Sequence, residues 1–156
     1  MGRRLPCAIG RGGIGQKKGE GDGITPIGVR NLEELYMRHD RCAFPLAGDA
    51  IGVRDGWSDD PRDPAYNRKI LRPHRFGHEA LRRSDPLYDL IGVLDFNRNP
   101  AVPGAGSAIF LHVWRKPRHP TEGCIAFAKR DLIWILEHWT VRSRVVVRSP
   151  VEQKIS

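Results

Sequence analysis

Residues 107–124 decide the fold: Ser-Ala-Ile-Phe-Leu-His-Val-Trp, then Arg-Lys-Pro-Arg-His-Pro, then Thr-Glu-Gly-Cys. Between Ile109 and Trp114, aliphatic side chains alternate with Phe, His and Trp, and this period of two predicts a half-buried strand. The two prolines of the next six residues remove hydrogen-bond donors that a strand needs, so the strand ends there. We expect the chain to fold back and bring Cys124 beside His112. A thiol within hydrogen-bond reach of an imidazole is the minimum apparatus of a cysteine nucleophile.

The same two residues have a purely structural interpretation. A buried cysteine commonly packs as a small apolar side chain, and a histidine inside a core is commonly satisfied by a neighbouring hydrogen bond. The alternation between Ile109 and Trp114 does not separate these two interpretations of Cys124 and His112.

Composition limits the fold class and the partners. The length of 156 residues fits one domain, which we place at 1–156 with a core at about 5–148. The 17 glycines and 12 prolines favour strands joined by turns over a helix bundle. The net charge of +8 and the pI of 9.9 are explained by solubility or by an anionic partner. Basic residues are scattered, so a dedicated basic tail is absent.

The sequence has three cysteines and no CxxC pair. We therefore expect no disulfide framework and at least one free thiol. No cysteine–histidine spacing resembles a zinc site, so we expect no metal and no cofactor. No apolar stretch approaches the ~18 residues of a membrane span, and no signal peptide is visible at the N-terminus. The sequence therefore leaves open a cytoplasmic protein, an export segment outside this sequence, or another export route.

Local patterns predict the remaining elements. We expect a helical turn over 31–37, a strand over 87–97, a helix over 125–139 after Cys124, a closing strand over 145–147, and a hairpin at the Asp-Gly of 22–23. The glycines of 10–15 spell GxGxxG, but no helix follows, so a nucleotide site is disfavoured.

Residues 55–67 predict a long acidic loop that holds Trp57 and Tyr66. Its aspartates at 59, 60 and 63 are explained equally well by cation binding and by Asp-Pro turns.

Three stretches together resemble a known family. They are Gly-Asp-Gly-Ile-Thr-Pro-Ile-Gly at 21–28, the strand at 107–112 that ends in His112, and Thr-Glu-Gly-Cys-Ile at 121–125. In this combination they resemble a divergent branch of the L,D-transpeptidase catalytic domain, the YkuD family. Tyr-Asp-Leu at 88–90 and Pro-Gly-Ala-Gly-Ser at 103–107 are similar to the same branch.

The resemblance implies a mainly β, sandwich-like or barrel-like fold of mixed strands, with one helix after the cysteine and short additional helical turns. It implies an acyltransferase that attacks peptidoglycan stem peptides through a thioester and releases D-alanine. Cys124 would be the nucleophile and His112 the general base, with Gly123 and the N–H of Cys124 at the oxyanion and a carbonyl near Val113 orienting the imidazole. A periplasmic or envelope location and a monomer are also implied.

The sequence departs from the family pattern at several positions. Glu122 replaces the histidine of the usual Ser/Thr-His-Gly-Cys signature, Val113 replaces a small residue, and Ala126 lies where arginine or valine is common. We expect Glu122 to face solvent or to pair with an arginine such as Arg115 or Arg118. Candidate substrate-binding residues are Thr121, Glu122, Trp57, Tyr66 and Trp114.

Three functional hypotheses follow. The first is the cysteine acyltransferase, with transpeptidase and carboxypeptidase action both open. The second is a catalytically inactive module that binds peptidoglycan or another polyanion. The third, a nucleic-acid binder, rests on charge alone and predicts a steep loss of affinity with salt; we do not expect nucleic acid as the partner.

Overall fold

The computed structural model describes residues 2–42 and 47–151. Residues 1, 43–46 and 152–156 of the predicted domain lie outside the described residues. The strands are β1 (Cys7–Ala8), β2 (Ile14–Gly15), β3 (Thr25–Pro26), β4 (Gly28–Arg30), β5 (Leu32–Met37), β6 (Asp49–Ala50), β7 (Asp55–Ser58), β8 (Lys69–Leu71), β9 (His78–Ala80), β10 (Leu90–Leu94), β11 (Phe110–Val113), β12 (Ile125–Phe127) and β13 (Val145–Val147). The helix α1 spans Lys129–Glu137. The predicted mainly β fold with one helix after Cys124 is confirmed.

A six-stranded mixed sheet forms the centre, in the order β1-β12-β11-β10-β5-β6. The strand predicted around His112 is β11, and it lies between antiparallel β10 and parallel β12. Two parallel neighbours must start at the same edge of a sheet, so the Pro-rich segment between them returns the chain to the start of β11. The start of β12, where Cys124 lies, is thereby brought next to β11.

The two faces of this sheet differ in chemistry, as the alternation in β11 predicts. One face carries Leu111 and Val113 in an aliphatic cluster with Leu132 and Leu136 of α1. The other face carries Phe110 in a second, aromatic cluster that also contains Cys124. Alternate residues of a strand point to opposite faces, so this one strand separates a helix-covered core from the side that holds the cysteine.

A three-stranded sheet, β8-β7-β9, packs on the aromatic side. The predicted loop over 55–67 is wrong in its first part, because Asp55–Ser58 is the central strand of this sheet. Trp57 has no exposed surface and its ring packs edge-on against Phe110 at 5.0 Å. Burial of this ring and pairing on both sides outweigh the local turn signals of the sequence.

Three other local predictions are corrected or shortened. Residues 32–37 form β5 rather than a helical turn, because they pair along β10 over five residues and this tertiary pairing overrides the local capping pattern. The Asp-Gly at 22–23 does not close a hairpin, since β2 and β3 run parallel. The helix begins at Lys129, because Ile125–Phe127 is taken into the central sheet as β12. The strand predicted over 87–97 is confirmed as β10 but is limited to Leu90–Leu94, and the strand predicted over 145–147 is confirmed as β13.

No helix in the described ranges combines the length and apolarity that crossing a membrane requires.

Candidate active site

Cys124 and His112 line one cavity of about 490 Å³. In the β11–β12 register, Leu111 pairs with Ile125 and His112 with Ala126. Side chains alternate along each strand, so Cys124, one residue before Ile125, projects from the same face as His112. Both side chains are buried, at 8% and 6% exposure. The cavity also carries charged groups, so the sulfur is not enclosed by hydrocarbon alone.

The imidazole of His112 is held by the backbone. Its Nδ1 lies 2.8 Å from the carbonyl oxygen of Val113. A carbonyl only accepts hydrogen bonds, so Nδ1 carries the proton and Nε2 keeps its lone pair. Burial lowers the pKa of His112 to about 4. At neutral pH the ring is therefore an uncharged base.

The thiol of Cys124 is held by strand β11. Sγ donates to the carbonyl of Ala108 at 3.0 Å and accepts from the N–H of Phe110 at 3.4 Å. Burial raises the pKa of Cys124 to about 12, although the Phe110 N–H acts in the opposite direction. Within the described ranges, the side chains of Cys124 and His112 are not joined by a hydrogen bond. The resting pair is a neutral thiol and a neutral imidazole, and α1 begins five residues beyond Cys124, too late to favour a thiolate there.

The turn before Cys124 is fixed by two threonines. Thr121 Oγ1 donates to the carbonyl of Cys124 at 2.6 Å and accepts from the N–H of Gly123 at 3.2 Å. Thr25 Oγ1 donates to the carbonyl of Gly123 at 2.9 Å. Gly123 has φ +133°, and a Cβ there would lie 2.9 Å from the carbonyl oxygen of Ile24, so only glycine fits. Because the Gly123 N–H is directed to Thr121, the N–H of Cys124 is the better candidate for an oxyanion.

The Gly-Asp-Gly-Ile-Thr-Pro segment at 21–26 holds this turn in place through hydrogen bonds. The Asp22 carboxylate accepts hydrogen bonds from Lys17 Nζ at 2.6 Å, from the N–H of Lys18 at 2.7 Å and from the N–H of Ile24 at 2.9 Å. Thr25, 1% exposed, also accepts from the N–H of Gly10 at 2.8 Å. The motif is therefore a scaffold that holds the loop of Gly123 against the rest of the fold.

Glu122 faces solvent, as the sequence predicts. Its side chain is 75% exposed and its Oε2 lies 2.9 Å from Nε of Arg11. The partner is Arg11 rather than Arg115 or Arg118. The residue that replaces the family histidine thus lies at the rim of the cavity.

The aromatic residues predicted to touch substrate lie elsewhere. Trp57 donates from Nε1 to Asn67 inside the core, and Tyr66, 3% exposed, bonds to Glu20 and to the N–H of Gly106. Neither they nor Trp114 line the cavity, whereas Thr121 and Glu122 do. A substrate bound in this cavity would therefore meet Thr121 and Glu122 rather than these three aromatic residues.

Several cavity residues are not identifiable from local sequence. Glu79 of β9, Arg83, Tyr88, Arg115 and His119 all line it. Tyr88 belongs to a stretch that resembles the family, but nothing in the pattern around Glu79 separates it from an ordinary strand glutamate. Only the packing of the β8-β7-β9 sheet against the central sheet brings it to the cysteine.

The acidic residues of 59–63 are used in local contacts. Asp60 is bound by Arg62 and by the N–H of Gly77, and Asp63 by Ser58 and His74. In the part of the chain that the structure describes, no group of three or more His, Cys, Asp or Glu side chains is arranged to hold a metal ion.

The sequence matches the family described as YkuD, L,D-transpeptidase catalytic domain, over residues 2–147. No curated protein and no solved structure matches the chain. Proteins of this family are typically acyltransferases that act on peptidoglycan, usually in the periplasm or cell envelope. The match spans almost the whole sequence and includes every residue of the cavity described above, and the chain therefore belongs to the YkuD family of L,D-transpeptidase catalytic domains.

Proposed function

We propose that the chain is an L,D-transpeptidase-like acyltransferase that forms a thioester between Cys124 and a peptidoglycan stem peptide. The observation that carries the proposal is the shared cavity of Cys124 and His112, with the imidazole held by the Val113 carbonyl in the tautomer that leaves Nε2 free. A free base and a buried thiol on one face of adjacent strands are the parts that nucleophilic acyl transfer needs.

The chemistry begins from neutral groups. The thiol proton of Cys124 passes to Nε2 of His112 as the sulfur attacks the stem-peptide carbonyl after the diamino acid. The oxygen of the tetrahedral intermediate accepts from the N–H of Cys124. When the carbon–nitrogen bond breaks, His112 returns the proton to the departing amine of D-alanine, and a thioester remains.

The second half reaction resolves the thioester. An amine of another stem, or water, loses a proton to His112 and attacks the thioester carbonyl, and the Cys124 sulfur leaves and recovers the proton. The amine yields a cross-link and water yields a shortened stem, so transpeptidase and carboxypeptidase action share the same residues. We place this activity in the periplasm or cell envelope, in a monomer.

A second function deserves a direct test because of two observations. The thiol has a raised pKa, and it bonds to the backbone of Ala108 rather than to His112. These features, with a net charge of +8, also suit a catalytically inactive module that binds peptidoglycan or another polyanion. Such a module retains wall binding and yields no acyl-enzyme.

The test is acylation followed by mass spectrometry. The protein is incubated with a carbapenem and, separately, with muropeptides, and the modified residue is mapped. We expect a single adduct on Cys124 that is lost in Cys124→Ala. The matched control is Cys7→Ser, because Cys7 is an exposed free thiol on β1. Labelling that persists in Cys124→Ala contradicts the proposal, and wall binding without any adduct or product favours the inactive module.

A further inference from the structure

Glu79 is a cavity residue for which the proposed mechanism has no use. It lies in β9 and shares the cavity with Cys124 and His112. Its Oε2 accepts a hydrogen bond from the hydroxyl of Tyr88 at 2.9 Å. No lysine, arginine or histidine of the described ranges lies within ion-pair distance of Glu79, or of Asp59 and Glu20 in the same cavity, whereas Glu122 at its rim is paired with Arg11. When a carboxylate beside a nucleophile has no cationic partner, its charge shifts the pKa values of the neighbouring groups.

Tyr88 connects this carboxyl to the imidazole. Its ring is 8% exposed and lies edge-on to His112, with centroids 5.5 Å apart and planes at 84°. It also packs against Phe110 at 5.9 Å, and the Phe110 N–H donates to the sulfur of Cys124. One ring thus contacts the proposed base and the residue that holds the proposed nucleophile, and its hydroxyl is anchored by Glu79.

The ring of His112 is held from two directions as a result. The Val113 carbonyl fixes Nδ1, and the ring of Tyr88 packs edge-on against the imidazole. A base held in one orientation transfers protons efficiently because little entropy is lost at the moment of reaction.

The charge of Glu79 acts on the sulfur rather than on the imidazole. An ionised Glu79 raises the pKa of Cys124, as does Glu122, and Lys17 lowers it, whereas the charges that act on the pKa of His112 are those of Arg83 and Asp85. Burial raises the pKa of Glu79 itself to about 7; the hydrogen bond from Tyr88 and the charge of Arg83 lower it, and Asp59 and Glu20 raise it. Glu79 therefore titrates near neutrality, far from the pKa values of about 4 and about 12 of His112 and Cys124.

We propose that Tyr88 and Glu79 are positioning residues for the thiol–imidazole pair: Tyr88 holds the imidazole, Glu79 anchors Tyr88, and an ionised Glu79 opposes formation of the thiolate. This inference rests on the proposed function, since it assigns a role to residues of the same site. Internal proton transfer from a neutral thiol to a neutral imidazole changes little between pH 5.5 and 8.5. The ionisation of Glu79 therefore imposes the pH dependence of acylation, which is faster on the acid side.

Glu79→Gln tests the charge alone, because the glutamine oxygen still accepts from the Tyr88 hydroxyl. Carbapenem acylation of Cys124 is measured under single-turnover conditions between pH 5.5 and 8.5. The wild type should slow about three- to tenfold across pH 7, the effect of about half to one unit in the thiol pKa, and Glu79→Gln should show a flat profile. The acylation rate of Glu79→Gln divided by that of the wild type is then about 1 at pH 5.5 and about 3–10 at pH 8.5. A ratio that is the same at both pH values contradicts the role of the charge.

Tyr88→Phe tests the anchor alone, because it keeps the ring against His112 and removes the hydroxyl. Loss of the hydrogen bond to Glu79 raises the pKa of that carboxyl, so the step in the rate should move to higher pH. Tyr88→Leu removes the ring and should lower kcat about tenfold or more with little change in KM. The role of Tyr88 is contradicted if the acylation rate of Tyr88→Phe changes at the same pH as that of the wild type. It is also contradicted if kcat of Tyr88→Leu equals that of the wild type.

Alkylation by iodoacetamide separates this proposal from the proposed function. The rate at Cys124, read from its peptide by mass spectrometry, reports thiolate formation without any substrate. If no carbapenem adduct forms, the acyltransferase proposal fails, but the Glu79→Gln ratio of alkylation rates still decides the effect of the charge. Glu137→Gln, an exposed acid at the end of α1 outside the cavity, is the matched control and should leave the pH profile unchanged.

Discussion

The two faces of the central sheet bury side chains of different chemistry. The face under α1 contains Leu111 and Leu132 in a cluster of close-packed hydrophobic side chains. The face under β7 buries Cys124 and His112 among aromatic rings, and burial there shifts the pKa values of both away from neutrality. Burial on the first face stabilises the fold, whereas on the second it also sets the protonation states from which chemistry starts.

The largest expected difference between the faces is in activity. His112→Gln removes the proposed base and should slow acylation of Cys124 about 100- to 10,000-fold, the usual contribution of general acid–base catalysis. The change in melting temperature should be small by comparison. Acylation within about threefold of the wild-type rate would contradict the assignment of His112.

On the aliphatic face the expected change is in stability. Leu111→Ala leaves a cavity at a position that is 2% exposed and should lower the free energy of unfolding by about 2–5 kcal/mol. Below its melting temperature the variant should still form the adduct on Cys124. Denaturant unfolding measures the stability, and a loss below about 1 kcal/mol would show that this face is less tightly packed than described.

The pH dependence of stability distinguishes the faces without substrate. The pKa of His112 is about 4 in the folded protein, below the ordinary value of about 6.5 that an unfolded chain has. Between these values the unfolded chain takes up a proton that the folded protein does not. The contribution of neutral His112 to the free energy of unfolding is therefore complete above pH 6.5. It is lost as the pH falls towards 4, by up to about 3 kcal/mol.

The matched variant for this prediction is His112→Gln, whose stability should fall less over the same range of pH. Urea unfolding of both proteins at pH 7, 5.5 and 4.5 gives the comparison. Parallel loss of stability in the two proteins would mean that His112 is not the group that titrates.

A smaller change in stability is expected from Thr25, in the Gly-Asp-Gly-Ile-Thr-Pro segment. Thr25→Val preserves shape but removes the hydroxyl that joins Gly10 and Gly123, leaving a buried N–H and a buried carbonyl without that partner. We expect a loss of about 1–3 kcal/mol in unfolding free energy. Thr25→Ser keeps the hydroxyl and should restore most of it, and equal losses in the two variants would contradict the role of the hydrogen bonds.

The sequence predicts those features of the site that depend on residues close together in the chain. The alternation of β11 and the prolines after it predict the strand, the reversal and the proximity of positions 112 and 124, because these depend on neighbours in the chain. The signature residues around Thr25 and Gly123 identify the family for the same reason.

The rest of the site depends on contacts between distant residues. Glu79 reaches the cavity only because β9 pairs with β7 and Trp57 of β7 packs on Phe110. Residues 32–37 carry a local helix signal, yet pairing with β10 makes them a strand. The raised pKa of Cys124 likewise follows from burial, which local spacing does not encode.

The central claim is that the sulfur of Cys124 becomes acylated by a stem peptide. The most direct measurement is peptide-mapped mass spectrometry after rapid acid quench of the protein with a tetrapeptide muropeptide. We predict an adduct on the peptide that contains Cys124, removable by hydroxylamine and accompanied by release of D-alanine. No adduct at any time point, or an adduct of the same yield in Cys124→Ala, would contradict it.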